Sequence, residues 1–381
     1  MAQGVIMDSL KFFPEGVALG DAFVNRVIER NALIKRIKSN RHTVLMAPRR
    51  YGKTSLVMQV AREMKVHSCA VDLLAAYSID YVRDQIVDRV GRLAIELLPN
   101  LSRAKEKLMQ IFKQMKPEIA LGAFGQKLIL KLTASPLQDI TDALLNLDET
   151  AKHFKKKAVI FLDEFQQISQ LKNYHSIEAS IRHAVERSEN IVYVFSGSNR
   201  RLLQQMFGDS GRPLYLLCQV INIERMEKQV YIDHLHHLSK IKWKKLIPMD
   251  VIERIFDHTE LHPFYMNALC QLLWDQAHLP SVDDVNNVWH TYVKTQRQMI
   301  SHDVMALSLN QRKILTALAK APAKEIQSVG FVAPLKISTS SAQQSAEILM
   351  QKDLIYLRDD QYYCVLDPAM KYYLDVILWD I

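Results

Sequence analysis

The residues with the clearest chemical pattern are a lysine and a hydroxyl that directly follow a glycine. The segment APRRYGKT, from Ala47 to Thr54, lies between the apolar run HTVLM and the helix-like run SLVMQVAREM. It fits the pattern G-x-x-x-x-G-K-[ST] except at Ala47, where a Cβ restricts the start of the loop. Such a loop surrounds phosphate with backbone N–H groups, and its lysine and hydroxyl serve the terminal phosphates and Mg²⁺. We therefore predict that ATP is bound by Pro48, Arg49, Arg50, Tyr51, Gly52, Lys53, Thr54 and Ser55.

A second pattern is the apolar run AVIFL, which ends in Asp163 and Glu164. An apolar strand that ends in two carboxylates is typical of a Walker B strand. Phosphoryl transfer needs positioning and charge neutralisation, so we predict that Asp163 and Thr54 hold Mg²⁺ and that Glu164 activates water. With Lys53, the two carboxylates form the predicted catalytic set. The alternative for an isolated Asp-Glu pair is a helix cap.

A third apolar run, IVYVF, ends in Ser196-Gly197-Ser198-Asn199. Ligands of open α/β sheets bind at the carboxyl ends of the strands, so Ser196 or Ser198 is placed to sense the γ-phosphate. Serine, glycine and asparagine are also common in turns, and that alternative stays open.

The elements that must position these residues alternate between short apolar runs and helical stretches. The runs are 42–46, 67–71, 158–162 and 191–195, and helical stretches include 54–64 and 176–189. Runs of this kind are typical of strands buried on both faces of a parallel sheet. The pattern predicts a doubly wound α/β sandwich, which with the G-K-T loop is the P-loop NTPase fold.

The rest of the chain predicts helices, followed by a small mixed segment. Amphipathic stretches cover 228–238, 249–259, 263–277 and 282–299. Helices at 310–320, 324–329 and 341–352 then precede strands at 354–358 and 361–366, joined by a turn at Asp359-Asp360, as in a winged helix-turn-helix. We predict an ATPase domain at 1–222, a helical lid domain at 223–303 and a winged helix domain at 304–381.

Composition limits the class of protein and its partners. The 381 residues carry a net charge of +8 and are 49% hydrophobic, which indicates globular domains with a mild attraction for polyanions. The four cysteines form no C-x-x-C pair, so zinc is not indicated. The N-terminus lacks the pattern of a signal peptide and no apolar run could span a bilayer, which predicts a cytoplasmic protein without a membrane partner.

Taken together, the motifs resemble the archaeal ATPase family of STAND-type NTPases, relatives of the AAA+ and origin-recognition ATPases. The similar motifs, which extend over nearly the whole chain, are FVNR with Glu29, PRRYGKT, LDE, Gly197-Ser198, PLY at 213–215, HPFY at 262–265 and the ending KDLIYLRDDQYYCVLDP. The resemblance implies that Asn25 and Arg26 lie near the adenine and ribose, and that a lid with His262 and Pro263 closes over the nucleotide. Arg26 as a surface arginine and His262 as a helix N-terminal residue are the alternatives.

One motif departs from this family. PLY is commonly followed by Gly-Arg, but here Leu216 and Leu217 follow. Arg200, Arg201 and Arg212 are the nearby arginines that could act on the γ-phosphate instead. Without such an arginine hydrolysis is slow, which suits a switch.

The predicted function is an ATP-hydrolysing switch whose nucleotide state controls DNA or protein binding by the winged helix, with assembly into a homo-oligomer on ATP binding left open. The predicted third helix offers hydroxyl and amide groups, but only Lys336 and Lys352 near its ends are cationic. Stronger basic tracts are 155–157 and the lysines around Trp243. These tracts are either nucleic-acid contacts or solvated helix ends or loops. The alternative function is a nucleic-acid-binding or protein-interaction regulator with a structural, weakly hydrolytic nucleotide site. A remodelling motor would need an arginine finger that we do not identify.

Overall fold

A computed structural model describes residues 9–24, 26–122, 125–358 and 360–379. The chain divides into two compact units. The sheet unit contains Arg26–Arg49 and Lys53–Glu224, and the helical unit contains Arg50–Gly52, Arg225–Ile381 and the N-terminal segment that ends at Asn25.

In the sheet unit, helices and strands alternate along the chain. The elements are α1 (Val27–Lys38), β1 (Thr43–Met46), α2 (Lys53–Glu63), β2 (His67–Asp72), α3 (Ile79–Glu96), α4 (Leu101–Ile111), β3 (Glu118–Gly122), β4 (Gly125–Ile129), α5 (Pro136–His153), β5 (Ala158–Asp163), α6 (Tyr174–Val185), β6 (Ile191–Gly197), α7 (Arg200–Gly208) and β7 (Gln219–Asn222).

Five of these strands form a parallel sheet in the order β2-β5-β6-β1-β7. The central strands β1, β5 and β6 are buried along nearly their whole length, which explains their continuous apolar sequences. Met46 pairs with Gly197, and Leu162 pairs with Phe195. The registers therefore bring the carboxyl ends of β1, β5 and β6 to one edge of the sheet.

The segment between β2 and β5 adds elements that the sequence pattern did not indicate. It contains α3, α4, α5 and the antiparallel hairpin of β3 and β4. Gly91 of α3 packs directly against β4, since a Cβ at this glycine would lie 2.1 Å from the carbonyl oxygen of Leu128. The absence of a side chain at Gly91 lets the helix and the hairpin approach this closely.

In its described residues, the helical unit contains helices and one short hairpin. Its elements are α8 (Lys228–Trp243), α9 (Met249–Thr259), α10 (Pro263–Trp274), α11 (Val282–Thr295), α12 (Arg297–Met305), α13 (Leu309–Lys320), α14 (Val329–Leu335), α15 (Thr339–Gln351), β8 (Ile355–Leu357), β9 (Tyr363–Val365) and α16 (Pro368–Asp375). Its core is built around two fully buried tryptophans, Trp274 and Trp289. No described helix of the chain is long and apolar enough to cross a membrane.

Two sequence predictions for this unit are wrong in detail. The stretch 324–329 is not a helix: Ala323 forms a β-bridge with Tyr363, and α14 begins only at Val329, after Ser328. The stretch 282–299 is divided at Gln296 into α11 and α12. Of the predicted hairpin turn, Asp359 lies outside the described residues.

Candidate active site

The loop between β1 and α2 carries the predicted phosphate-binding residues. Lys53 is the first residue of α2 and is 6% exposed. Its Nζ donates hydrogen bonds to the carbonyl oxygens of Ala47 (3.1 Å) and Pro48 (3.0 Å). The lysine thus lies across the loop at a helix N-terminus, where free N–H groups favour an anion.

The backbone of this loop explains why alanine is accepted at its first position. Arg50 (φ 64°) and Gly52 (φ 82°) have left-handed backbone conformations, whereas Ala47 does not. Because the conformation that requires glycine occurs at Gly52, the departure at Ala47 causes no backbone strain. Ala47 and Pro48 are buried, and Arg49 is exposed.

The hydroxyl of Thr54 and the carboxylate of Asp163 lie in direct contact. Thr54 Oγ1 donates to Asp163 Oδ2 over 2.9 Å, and the other oxygen, Oδ1, accepts from the hydroxyl of Ser196 and from the backbone N–H of Glu164 (3.0 Å). Mg²⁺ prefers hard oxygen ligands, and next to phosphates it usually takes only one or two of them from the protein. A hydroxyl and one carboxylate are ligands of this type. The pair therefore fits a magnesium ion.

Glu164 is held in a defined position at the end of β5. Its Oε2 accepts hydrogen bonds from Gln166 Nε2 (2.6 Å), Ser198 Oγ (2.7 Å) and the backbone N–H of Ser198 (3.3 Å). Burial favours the neutral acid, but these donors and the charge of Lys53 outweigh it, so the pKa of Glu164 lies below its ordinary value. Glu164 is therefore a carboxylate at neutral pH, as a general base must be.

Gln166 belongs to the site but was missed by sequence reasoning, which named Gly197 only as part of a family motif and not as its contact. A Cβ on Gly197 would lie 1.8 Å from Gln166 Oε1 and 2.8 Å from its Cδ. Glycine at this position leaves room for the Gln166 amide, which donates to Glu164. No motif spacing predicts this contact. The feature of the sequence that could have indicated it is a polar residue, Gln166, two positions after Glu164.

The residues predicted near the adenine and ribose are only partly described. Asn25 lies outside the described residues. Arg26 is buried with a left-handed backbone, and its Nη1 donates to Glu29 Oε1 (3.0 Å) and to the carbonyl oxygen of Glu224 (3.1 Å). Arg26 is therefore buried and ties α1 to the end of the sheet unit, so the alternative that it is a surface arginine is wrong, and its place near the adenine and ribose stays a prediction.

Among the candidate arginines, Arg212 is already engaged. Its guanidinium pairs with the fully buried Glu178, donates to Ser169 Oγ (3.2 Å) and lies 4.6 Å from the centre of the Tyr174 ring. Arg200 and Arg201 lie in the first turn of α7, directly after β6. The structure thus gives Arg212 a structural task in anchoring the loop after α7.

In the helical unit, the loop residues 50–52 lie against the predicted lid motif. The rings of Tyr51 and His262 are 4.7 Å apart at 76°, and the guanidinium of Arg50 lies 4.3 Å from the centre of the Phe264 ring. His262 is the residue that immediately precedes α10, and Pro263 is the first residue of that helix. The predicted N-terminal position of His262 is therefore observed, and its contact with a nucleotide stays a prediction.

The same unit contains a polar network centred on Arg225. Its Nη1 donates to Glu260 at both the carbonyl oxygen (2.6 Å) and Oε2 (2.8 Å), and its Nη2 donates to the carbonyl oxygen of Leu366 (2.9 Å). Burial lowers the pKa of Arg225, but Tyr51, Tyr356 and Glu260 raise it by more. Arg225 therefore stays charged, and it joins Tyr51 of the loop to Leu366 near the C-terminal end of the chain.

The fold and this set of residues define a P-loop ATPase fold with a winged helix domain at its C-terminal end. A family model described as a probable winged helix domain matches residues 301–376. Among solved structures, the chain is similar to the Walker-type ATPase paby2304 of Pyrococcus abyssi, with 17% identity, a TM-score of 0.70, and 96% of this chain and 100% of that one covered.

A second similar fold is the ORC2 protein of Aeropyrum pernix. Its structure in ADPNP–ADP complexes has 14% identity and a TM-score of 0.55, with 98% of each chain covered; the ADP form has 13% identity and a TM-score of 0.52. No curated protein matches the sequence. At these identities the likeness establishes the fold alone.

Proposed function

We propose that this chain is an ATP-hydrolysing molecular switch of the STAND type, in which the bound nucleotide controls DNA or protein binding by the winged helix. The observation that carries this proposal is the convergence of Lys53, Thr54, Asp163 and Glu164 at the carboxyl ends of β1 and β5, with Thr54 and Asp163 in direct contact. The proposed domains are 1–222, 223–303 and 304–381.

The proposed reaction is attack of water on the γ-phosphorus. Glu164 orients the water and accepts its proton, an O–P bond forms, and the bond to the β-γ bridging oxygen breaks to leave ADP and phosphate. Lys53 and the N-terminus of α2 stabilise the charge on the phosphate oxygens. Magnesium, held by Thr54 and Asp163, would supply further charge neutralisation.

The hydrogen bonds around Glu164 favour slow turnover. The donors to Oε2 and the charge of Lys53 lower the pKa of Glu164, and a weaker base takes a proton from water less readily. Slow turnover is also compatible with the alternative function, a regulator whose bound nucleotide is structural and only weakly hydrolysed. Both functions require ATP binding, and they differ in turnover.

The test is ATP turnover by the purified chain, with and without a double-stranded DNA, while light scattering reports the molar mass. A switch predicts slow hydrolysis whose rate or assembly state changes when DNA is added. ATP binding without turnover under every condition contradicts the enzyme and supports the structural nucleotide site. No ATP binding contradicts both.

The variant Gly197→Ala should lower turnover about ten- to a hundredfold without unfolding the chain. The new Cβ displaces the flexible end of Gln166 and so removes the donor that positions Glu164. Steady-state kinetics and thermal unfolding measure the two effects.

A double-mutant cycle checks that this effect passes through Gln166. In a Gln166→Ala background, Gly197→Ala should add little, because the clashing amide is gone. Gly208→Ala is the matched control, since a Cβ there meets nothing within 4 Å. Equal, additive losses from the two substitutions would contradict the mechanism.

The network around Arg225 supports coupling between the loop and the winged helix. Arg50, Tyr51 and Gly52 precede Lys53 in the chain, so a nucleotide that reorders the loop also moves the side chains next to His262 and Arg225. From Arg225 the contacts continue to Glu260, whose Oε1 accepts from Lys371 Nζ (2.5 Å) in α16. Tyr265 donates to Asp367, the N-cap of the same helix, over 2.6 Å.

We therefore expect Arg225→Gln to uncouple the winged helix from the nucleotide. Hydrogen exchange over residues 354–375 should differ between the ATP and ADP states in the wild type, and this difference should shrink severalfold in the variant while turnover persists. Arg254→Gln is the control, because its pair with Asp257 is long (3.9 Å) and exposed. A variant that keeps the full nucleotide-dependent difference would exclude Arg225 from the coupling.

A further inference from the structure

The amino ends of the parallel strands carry a group of exposed cations that the proposed reaction does not use. We call this group the basic edge. Its members are Lys35, Lys38, Arg41, Lys65, Lys155, Lys156, Lys157 and Arg187. They lie in α1 or in the segments that lead into β1, β2, β5 and β6, at the edge opposite to the candidate active site.

Three helices that lead into this edge end in the same way. After α1, α2 and α5 a residue with left-handed backbone follows, namely Asn40 (φ 56°), Lys65 (φ 51°) and Lys155 (φ 53°). In each case the next residue donates its N–H to a carbonyl five positions earlier; Lys156, for example, donates to Ala151 over 2.8 Å. This motif fixes the backbone that carries the cations.

Hydrogen bonds join neighbouring segments of the edge directly. Lys157 Nζ donates to the carbonyl oxygen of Lys38 (3.5 Å), and Asn40 Nδ2 donates to that of Ser188 (3.3 Å). The segments before β5, β6 and β1 are thus adjacent, and three neighbouring strands span about 10 Å. The cations therefore form one surface.

The charge of this surface is not balanced locally. In the described part of the chain, none of the eight cations forms an ion pair within 4 Å. The nearby acids are occupied: Glu63 pairs with Arg30, Glu186 with Arg182 and Glu189 with Lys152. Asp148 accepts the N–H groups of residues 190 and 191, which leaves Glu149 as an exposed acid of α5.

The favourable interaction of cations with the negative ends of helix dipoles explains only some of the cations of the basic edge. A cation in the last turn of a helix is stabilised by the negative end of the dipole, and Lys35 and Lys38 are such residues. Lys156 and Lys157 lie beyond the end of α5, where the effect has declined. Lys155, Lys156 and Lys157 form no ion pair in the described part of the chain, and three such consecutive lysines need another explanation.

We propose that the basic edge binds the phosphate backbone of double-stranded DNA, as a surface additional to the winged helix. The phosphates of one strand of a duplex rise about 3.4 Å each along the helix axis, so the span of the edge matches about three base-pair steps. The described residues beside the cations include no exposed tryptophan, tyrosine or phenylalanine, the stacking side chains with which proteins hold single strands. The chemistry therefore fits a duplex backbone read without regard to sequence.

The second basic tract of the chain does not fit this role. Trp243 packs against Trp274 of the core with ring centres 5.0 Å apart. The Nζ atom of Lys242 lies 5.2 Å from the centre of the Trp243 ring. The tryptophan is therefore committed to packing rather than to a base. Its exposed lysines provide a control with equal charge.

The test compares two triple variants of the full chain. The edge variant is Lys155→Gly, Lys156→Gln, Lys157→Gln, and the control is Lys244→Gly, Lys240→Gln, Lys245→Gln. Each removes three charges, and each places glycine at a lysine whose backbone is left-handed, so folding is preserved in the same way. Binding to a 40-bp DNA duplex of random sequence is measured by fluorescence anisotropy from 50 to 300 mM salt, beside an RNA duplex and acidic lipid vesicles.

We expect the edge variant to bind the DNA duplex about ten- to a hundredfold more weakly at 100 mM salt, with the slope of log K against log salt reduced by about 2 to 3. The control should bind like the wild type, and ATP turnover without DNA should be unchanged in both. Equal binding by the edge variant and the wild type, equal losses in both variants, no DNA binding by the wild type, or stronger binding to RNA or to vesicles than to DNA would each overturn the proposal.

Discussion

Glu164→Gln should abolish ATP turnover, with kcat lowered about a thousandfold, while ATP binding is retained. Of the two consecutive acids at the end of β5, Asp163 is engaged with Thr54 and Ser196, which leaves Glu164 to act as the base. Glutamine has the same shape but cannot accept a proton from water, and loss of a general base costs about 10² to 10⁴ in rate. Phosphate release under single-turnover conditions measures the effect.

The pH profile gives a second measurement of the same group. The pKa of Glu164 lies below its ordinary value of 4.5, so the base form is present at neutral pH and is lost only as the pH falls through that lowered pKa. Turnover should therefore show no loss due to this group between pH 5 and about pH 7. Glu149→Gln, an exposed acid at the other edge of the sheet, is the control. Normal turnover by Glu164→Gln would remove Glu164 from the reaction.

Lys53→Met should weaken ATP binding by about ten- to a hundredfold or more. Lys53 is buried, and its Nζ donates hydrogen bonds to the carbonyl oxygens of Ala47 and Pro48 in the loop. A phosphate bound by the same loop would accept hydrogen bonds from this group instead. A charge-assisted hydrogen bond to phosphate is worth about 1.5–3 kcal/mol, and methionine keeps the apolar stem but not the charge. Isothermal titration with ATP and Mg²⁺ measures the affinity.

The control for this experiment lies on the same helix. Arg62→Met changes an exposed cation in the last turn of α2 and should leave the affinity unchanged. Thermal unfolding of Lys53→Met without nucleotide separates a binding defect from a folding defect. If Lys53→Met binds ATP as tightly as the wild type, the loop does not hold the phosphates, and the proposed function fails with it.

The two predictions rest on different parts of the site and can fail separately. Loss of binding in Lys53→Met together with normal turnover in Glu164→Gln would preserve the phosphate loop and move the catalytic base elsewhere. Normal binding in Lys53→Met would end the ATPase proposal. The proposed DNA contact of the basic edge is independent of both outcomes, because its readout is DNA affinity.

The sequence by itself determined the fold class and the elements of the sheet that carry the motifs. Strands buried on both faces must be apolar throughout, so β1, β5 and β6 are readable as short continuous runs, and polar residues at their ends mark the ligand edge. The same local logic placed α9, α13 and the β8–β9 hairpin within a few residues. It failed at α14, because pairing of Ala323 with Tyr363 is a non-local contact.

Only the tertiary structure decided how the remaining residues meet. Gln166 reaches Glu164 because Gly197 on a neighbouring strand leaves room for it, and Arg225 joins segments that lie far apart in the chain. The basic edge likewise forms only when parallel strands align the ends of separate helices. A motif records chemistry within a few consecutive residues, whereas these contacts depend on strand order and register, which no single segment specifies.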